Sequence, residues 1–254
     1  MKKMIMLLTL FALATIFTGT STVMAGGDQN RGDIGQGSTY ENNCENQPCF
    51  DDAPKPGSSS TLITQSTGAT SELDDTEIRH LKFIREEEKM ARDVYRVLYE
   101  KWANPIFANI AESEQAHMDA IANLLSVYGI DDPVATDETG EFTNDDIAVL
   151  YSTLVERGSQ SEIDSLLVGA YIEEYDILDI WTAYDETDED RIQIVYKNLY
   201  EGSYNHLSAF VYVYELVTGE SYERQILEEE DYEYVMSFDT QANQAQEPKQ
   251  QKGK

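Results

Sequence analysis

Residues 107–124 read FANIAESEQAHMDAIANL, and the apolar residues of this stretch recur every three or four positions, as they do on one face of an α-helix. Two members of that face are polar. Glu114 and His117 are three residues apart, so they lie about 4.5 Å apart along the helix axis. Burying a carboxylate without a partner costs several kcal/mol. A carboxylate and an imidazole on one buried face therefore indicate a metal ion that neutralises them.

The same periodicity predicts three further long helices and two short ones, and no segment alternates convincingly at the two-residue period of a strand. The long helices are expected at residues 75–102, 104–129, 161–184 and 187–219, and the short ones at 144–155 and 228–236. The connections within the first pair and within the second pair of long helices are short, so each pair should form an antiparallel hairpin. This pattern predicts an all-α four-helix bundle with a helix-containing crossover between the second and third long helices.

Polar residues interrupt the apolar stripe near the middle of every long helix. They are Glu88, Glu114, His117, Glu173, Ser203 and His206. In a bundle these positions converge at one depth, where several carboxylates would repel one another and take up protons unless divalent cations were present. Two metal ions bridged by carboxylates and capped by imidazoles would remove that repulsion. Such ligands suit iron or manganese, with zinc as an alternative.

Each of these residues also has a plainer interpretation. A lone Glu on a stripe is usually a boundary residue whose head reaches water, and a lone buried His is more often hydrogen-bonded than bound to a metal. If the assigned stripes are off by one residue, Glu87 and Glu174 are the alternatives. The third histidine, His80, lies early on the first helix and is expected at the surface. The convergence of the whole set favours the metal site.

Several short motifs carry a resemblance to a known superfamily. The run EKMARDVY at residues 88–95 is similar to the first-helix motif of rubrerythrin-type proteins, in which a ligand Glu is followed by Ala-Arg and by a Tyr in register. The pair Glu114 and His117 resembles the second-helix ligands of the ferritin-like superfamily. Residues 81–217 as a whole resemble a ferritin-like domain family of unassigned function. The motifs concerned are REEE at 85–88, NIA at 109–111, SEQ at 113–115, IEE at 172–174 and NHL at 205–207.

The resemblance implies a carboxylate-bridged site for two divalent metal ions, with iron as the first choice. Glu88 is then the ligand of the first long helix, and Glu114 and His117 are the pair of the second. Glu173 is the ligand of the third long helix, and His206 is the imidazole of the fourth.

The chain departs from this pattern at Ser203, which stands where the fourth helix usually has a Glu three residues before its His. A neutral hydroxyl is a poor bridge. Asp176 lies one turn after Glu173 on the same side and could supply the missing carboxylate, because rubrerythrins similarly use two acidic residues on their third helix. Tyr95 lies two turns from Glu88, close enough to hydrogen-bond a ligand carboxylate. Most of the other tyrosines are expected to serve packing.

The remaining segments are expected to play other roles. Residues 1–25 are predicted to be a cleaved secretory signal, because two lysines precede an apolar run and small side chains follow it. A retained membrane anchor is the alternative, but the apolar run is short for a span of about 20 residues. Residues 26–72 are predicted to be a disordered acidic linker rich in Ser, Thr and Gly, and residues 238–254 a disordered tail. The helical bundle then occupies residues 73–237.

The only two cysteines, Cys44 and Cys49, lie in the predicted linker. In an exported protein, a nearby pair is most simply a small disulfide loop. Their spacing differs from the two-residue gap of common zinc and redox pairs. A metal or catalytic role is therefore disfavoured.

The formal net charge of −30 disfavours nucleic acid and anionic membranes as partners, since both would be repelled. Metal ions and small oxidants remain as the expected partners. The subunit number stays open, with a homodimer as one option. No segment has the spacing of a calcium-binding loop.

These observations favour an exported ferritin-like protein with a dinuclear iron or manganese site. Its chemistry would be that of an oxidoreductase, reacting with oxygen or peroxide or oxidising ferrous iron. The alternative is a non-enzymatic metal-binding or structural bundle tethered outside the membrane, in which Ser203 marks lost catalytic competence. A third interpretation is a partner-binding helical module whose stripe acids are boundary residues.

Overall fold

The computed structural model describes the backbone of residues 72–245 and the side chains of residues 72–238. This part of the chain forms six α-helices and no strand, which confirms the all-α prediction. The helices are α1 (Asp75–Trp102), α2 (Pro105–Tyr128), α3 (Asp145–Gly158), α4 (Glu162–Asp185), α5 (Asp190–Thr218) and α6 (Glu229–Ala245). None of these helices is long and apolar enough to cross a membrane. The predicted signal, Cys44, Cys49, most of the predicted linker and the end of the tail lie outside the described residues.

The connection between α1 and α2 is set by local sequence. Asp74 caps α1 in a capping box, in which its side chain accepts from the backbone N–H of Glu77 and the Glu77 side chain accepts from the backbone N–H of Asp74. The helix ends at Ala103, which adopts the left-handed conformation with φ 53°. Asn104 then caps α2, and Pro105 occupies its first position. Because so few residues join the two helices, they run back along each other.

The second pair, α4 and α5, differs slightly from its predicted bounds. Ser161 caps α4 and accepts from the backbone N–H of Asp164. The next helix was expected to start near Thr187 but begins at Asp190. Thr187 remains in the connection because its hydroxyl donates to Glu77 of α1 and accepts from the backbone N–H of Glu189.

The last helix is longer than expected. It was predicted to end near Met236 but continues to Ala245. Phe238 packs edge-on against Tyr204 of α5, with ring centroids 5.2 Å apart, so the contacts of α6 extend past Met236. Part of the segment that was predicted to be a disordered tail is therefore helical.

Two apolar clusters fill the interior, and a polar layer lies between them. Along α1, Glu88 falls between Ile84 of one cluster and Ala91 of the other. On α2, Glu114 and His117 likewise fall between Ala111 of one cluster and Ile121 of the other, whereas on α4 the members of the first cluster continue past Glu173 to Ile177. The first core includes Ala91, Tyr95, Leu98, Phe107, Ile110, Leu166, Ala170 and Phe210. The second core includes Leu81, Ile84, Ile121, Leu124, Ile180, Ile192, Tyr196 and Leu199. The polar residues of four helices are thus held at one depth with apolar packing on both sides.

The connection between α2 and α3 covers a charged face of α1. Lys89 is fully buried and donates to Asp93 and to the Glu138 carbonyl, both at 2.7 Å. Asp93 also accepts from the backbone N–H of Gly140 at 3.0 Å. α1 is therefore buried on all sides from Ile84 to Tyr95. One charged face of α1, with Lys89 and Asp93, holds this connection, and another, with Glu88, contributes to the polar layer.

Candidate metal centre

Five of the predicted ligands meet in the polar layer. Glu88 comes from α1, Glu114 and His117 from α2, Glu173 from α4 and His206 from α5. The three carboxylates are fully buried, and each imidazole retains a small exposed edge. Four helices therefore contribute to one cluster, as the convergence of their stripes predicts.

The first group of potential ligands consists of Glu88, Glu114 and His117, whose ligand atoms lie within 4.8 Å of one another. His117 Nδ1 is 2.8 Å from Glu114 Oε2 and 3.2 Å from Glu88 Oε2. Two carboxylates and one imidazole thus face a common point.

The second group consists of Glu114, Glu173 and His206 and meets the same distance limit. His206 Nδ1 is 2.9 Å from Glu114 Oε1 and 3.3 Å from Glu173 Oε2. Glu114 therefore belongs to both groups and turns one oxygen towards each histidine. The two imidazole rings are stacked with their centroids 5.6 Å apart. With one imidazole at each of its oxygens, Glu114 is placed as a carboxylate shared by two cations would be.

The donor atoms of this cluster fit a metal better than a closed hydrogen-bond network. Both oxygens of Glu114 and one oxygen of Glu88 accept no hydrogen bond of adequate geometry from the described residues, although they are buried. Buried polar atoms are normally satisfied, so such atoms need an explanation. Oxygen and imidazole donors around two points suit divalent iron, manganese or zinc.

The pKa values of these groups show how the charges of the cluster are balanced when no metal is bound. Burial alone would lower the pKa of His206, but the Glu114 and Glu173 carboxylates outweigh it and raise that pKa to about 10. Burial raises the pKa of Glu88 to about 8, although His117 opposes the shift. Burial would also raise the pKa of Glu114, but the two imidazoles hold it well below its usual range. Protons on the imidazoles thus balance the carboxylates, and bound cations would displace them.

Both imidazoles turn Nδ1 towards the carboxylates, and their other nitrogens have different neighbours. His206 Nε2 lies 2.9 Å from Ser113 Oγ, which fixes the orientation of the ring. His117 Nε2 faces Gly202 of α5, where an added Cβ would lie only 2.7 Å away. Neither Ser113 nor Gly202 was among the predicted site residues. A glycine inside a helix is a signal of close approach, whereas no local signal marks Ser113.

We expect the Gly202→Ala variant to bind metal about tenfold more weakly in the first group, because outer-shell changes typically cost 10–100-fold in metal affinity. The new methyl group would push the His117 ring away from Glu88 and Glu114. Metal affinity measured by competition with a chelator tests this expectation. Asn198→Ala, on the exposed side of the same helix, provides the control for helix propensity. Equal affinities of the two variants would show that Gly202 does not support the ring.

Tyr95 hydrogen-bonds a ligand candidate of another helix rather than Glu88, the candidate nearest to it in sequence. Its hydroxyl donates to Glu173 of α4 and lies 3.3 Å from the Gly169 carbonyl. Burial and the neighbouring carboxylates raise the pKa of Tyr95, so it stays neutral and can donate. It therefore orients a carboxylate of the second group.

Two other predicted residues lie in the layer but outside the two groups. Asp176 is fully buried, yet it is a member of neither group. Ser203 is also buried, and its hydroxyl donates back to the Leu199 carbonyl at 3.2 Å. The place of the usual fourth-helix Glu thus provides no carboxylate.

The alternatives for a shifted stripe have other roles. Glu174 accepts hydrogen bonds from Tyr222 and from backbone N–H groups of the α5–α6 connection. Glu87 belongs to neither group, and its pKa is raised by burial and by the neighbouring carboxylates of Asp179 and Glu88. His80 was expected at the surface but is half-buried, with Nε2 2.9 Å from Glu186 Oε2. Neither Glu87 nor Glu174 therefore joins the two groups of potential ligands.

Comparisons with known proteins place the chain in a family without assigning an activity. Residues 77–239 match the family described as "Uncharacterized protein domain (DUF2202)", a segment that includes all the candidate ligands. The chain is 49% identical over 158 residues to "Uncharacterized protein MJ0754" of Methanocaldococcus jannaschii. The aligned segment covers 62% of this chain and 85% of that protein. It is also similar to the crystal structure of hypothetical protein MJ0754 from Methanococcus jannaschii DSM 2661. The TM-score is 0.65 at 46% identity, over 68% of this chain and 98% of that one. The chain therefore belongs to the DUF2202 family of uncharacterized protein domains.

Proposed function

We propose that this protein is a ferritin-like four-helix-bundle metalloprotein that holds two divalent ions, with iron as the first choice. The observation that carries the proposal is the position of Glu114, which is shared by two groups of potential ligands. A buried carboxylate with an imidazole at each oxygen is well placed to bridge a pair of cations.

The packing of the long helices supports the bundle. α1 packs on α2 and α4 on α5, while α1 also contacts α4 and α2 contacts α5. α3 lies within the crossover between the two pairs. Short connections inside each pair and a long one between them match a bundle with one crossover.

The proposed chemistry is redox, with oxygen or peroxide as the oxidant, which would be consumed either for detoxification or for the oxidation of ferrous iron. When bound, a reduced metal pair supplies the electrons for such a reaction. Glu114 would be shared by the two ions, while Glu88 and His117 would hold one and Glu173 and His206 the other. Tyr95 would keep Glu173 oriented, and the two apolar cores would limit access of bulk water to the layer.

The location of the protein is part of the proposal. The signal-like features of residues 1–25 support export, and the acidic composition is compatible with metal ions and small oxidants as partners. The same acidity argues against nucleic acid and anionic membranes.

The proposal predicts about two metal ions per chain when the protein is produced with iron, manganese and zinc all available. Each group has its own histidine, so His117→Ala should leave the second group intact and retain about one ion. Elemental analysis of both proteins measures this directly. Trace metal in the wild-type protein after exposure to Fe(II) or Mn(II) would refute the proposal.

A passive metal-binding role is the second candidate, and Ser203 is the observation that favours it. Without a carboxylate at the position of Ser203, the centre has fewer charged ligands than the ferritin-like pattern provides. It is then less able to accommodate a change in metal charge. Consumption of oxygen or peroxide by the iron-loaded protein separates the two functions. An oxidoreductase will exceed the rate of free iron, whereas a passive binder will not.

A further inference from the structure

Two buried carboxyl groups next to the centre are left without donors. Glu87 is 1% exposed and Asp176 is 0% exposed, and none of their four carboxyl oxygens accepts a hydrogen bond from the described residues. Neither residue belongs to the two ligand groups. Buried carboxylates without partners are costly, so the proposed metal pair alone does not account for them.

Glu87 lies on α1 and Asp176 on α4, and another buried acid of α1, Asp93, has different surroundings. Asp93 pairs with Lys89 at 2.7 Å and with Arg92 at 2.8 Å, although all three side chains are fully buried. In contrast, burial raises the pKa of Asp176, and the nearby carboxylates of Glu87 and Glu88 raise it further. The fold thus pairs Asp93 with two cations but pairs neither Glu87 nor Asp176 with a cation among the described residues.

These acids continue as a row from the centre towards the surface. Asp176 and Asp179 are three residues apart on α4, and His80 and Glu87 are seven residues apart on α1, so each pair shares one helix face. α1 packs against α4, and His80 Nε2 lies 2.9 Å from Glu186 Oε2 at the end of α4. The Glu87 carboxyl also interacts electrostatically with Asp176 and with Asp179.

Exposure differs between the two ends of this row. It is near zero at Asp176 and Glu87, the Asp179 side chain is half-buried, and the side chains of His80 and Glu186 are 16% and 42% exposed. Ten residues of helix separate Asp176 from Glu186, which corresponds to about 15 Å. The row therefore joins the centre to solvent at the end of α4.

We propose that this row of acids, from Glu186 and His80 through Asp179, Glu87 and Asp176, is the route by which divalent cations enter and leave the centre. The proposal rests on the proposed metal function. A continuous row of carboxyl oxygens offers successive binding points to a cation that crosses the buried layer, and attraction by ionised acids accelerates association by 10–10³-fold. Carboxylates and an imidazole are also acceptable ligands for the hydrated or partly dehydrated ions that would pass.

The test is the rate at which Co(II) is taken up by the metal-free full-length chain, followed by stopped-flow absorbance. Glu87→Gln and Asp179→Asn keep the side-chain shape and remove one carboxyl group each. Because neither residue is a ligand, we expect loading to slow about tenfold or more, with dissociation slowed in parallel. The final stoichiometry and the equilibrium affinity should change by less than about twofold, since the two rates change together.

Glu112→Gln, which removes one charge from the exposed side of α2, is the matched control and should load at the wild-type rate. Asp179→Asn changes a less buried position and keeps the test valid if Glu87→Gln fails to fold. Wild-type loading rates in both variants would overturn the route while leaving the proposed function intact. Lost stoichiometry at an unchanged rate would make these residues ligands and would also overturn it. A wild-type protein that binds no cobalt overturns both proposals.

Discussion

Glu114→Gln will remove both metal ions from the centre, whereas every other single ligand change will remove one. The glutamine keeps the shape of the side chain but loses the charge that two cations would share. Since outer-shell changes alone cost 10–100-fold in metal affinity, loss of the shared ligand should cost at least about 100-fold in each group. Elemental analysis and calorimetric titration with Fe(II) under anaerobic conditions or with Mn(II) measure the loss.

The controls are Glu88→Gln and Glu173→Gln, because each residue belongs to one group only. Each of these proteins should retain about one ion, and their losses should fall in different groups. Circular dichroism of the metal-free proteins checks that the helices are intact. Retention of a full ion by Glu114→Gln would mean that the two groups do not share a bridging carboxylate.

The helices with strong local signals were predicted closely. Asp74, Asn104 and Ser161 each accept from a backbone N–H in the first turn of the helix that follows. Such caps need no information from distant residues, so the bounds of α1 and α2 could be read from the sequence. The start of α5 could not, because Thr187 is held by Glu77, which is 110 residues away in sequence.

The ligand cluster was predictable for a related reason. On α1, α2 and α5 a polar residue separates the members of one apolar cluster from those of the other, and packing these helices in register with α4 brings their polar residues together. The periodicity of the single helices therefore predicts the depth at which the site lies. It does not predict contacts between helices, such as that of Ser113 with His206 or that of Tyr95 with Glu173.

The role of Glu174 was beyond the reach of periodicity. It lies next to Glu173 in a run of two acids, and only one of them points into the polar layer. The other is fully buried against the α5–α6 connection. A segment without regular structure provides its partners, so no helical pattern could have indicated them.

Glu174→Ala will cause the largest loss of stability of the changes considered, for reasons that are visible in its contacts. Oε1 accepts from the Tyr222 hydroxyl at 2.7 Å, and Oε2 accepts from the backbone N–H groups of Gln225, Ile226 and Leu227 at 2.9, 2.6 and 2.9 Å. Removing the carboxylate leaves these donors without an acceptor, and each buried unsatisfied group costs about 1–3 kcal/mol. Partial access of water will reduce the sum, so we expect a loss of about 3–5 kcal/mol in the free energy of unfolding.

At 2–4 °C per kcal/mol for a domain of this size, that loss should lower Tm by roughly 10 °C. Glu174→Gln, which keeps one acceptor oxygen, should lie between the alanine variant and the wild type. Thermal and urea unfolding measure both losses, and metal analysis of the folded glutamine variant separates structure from ligation. We expect that variant to keep about two ions, because Glu174 anchors the connection and belongs to neither ligand group. An unchanged Tm combined with lost metal would reverse the assignment and make Glu174, not Glu173, the α4 ligand.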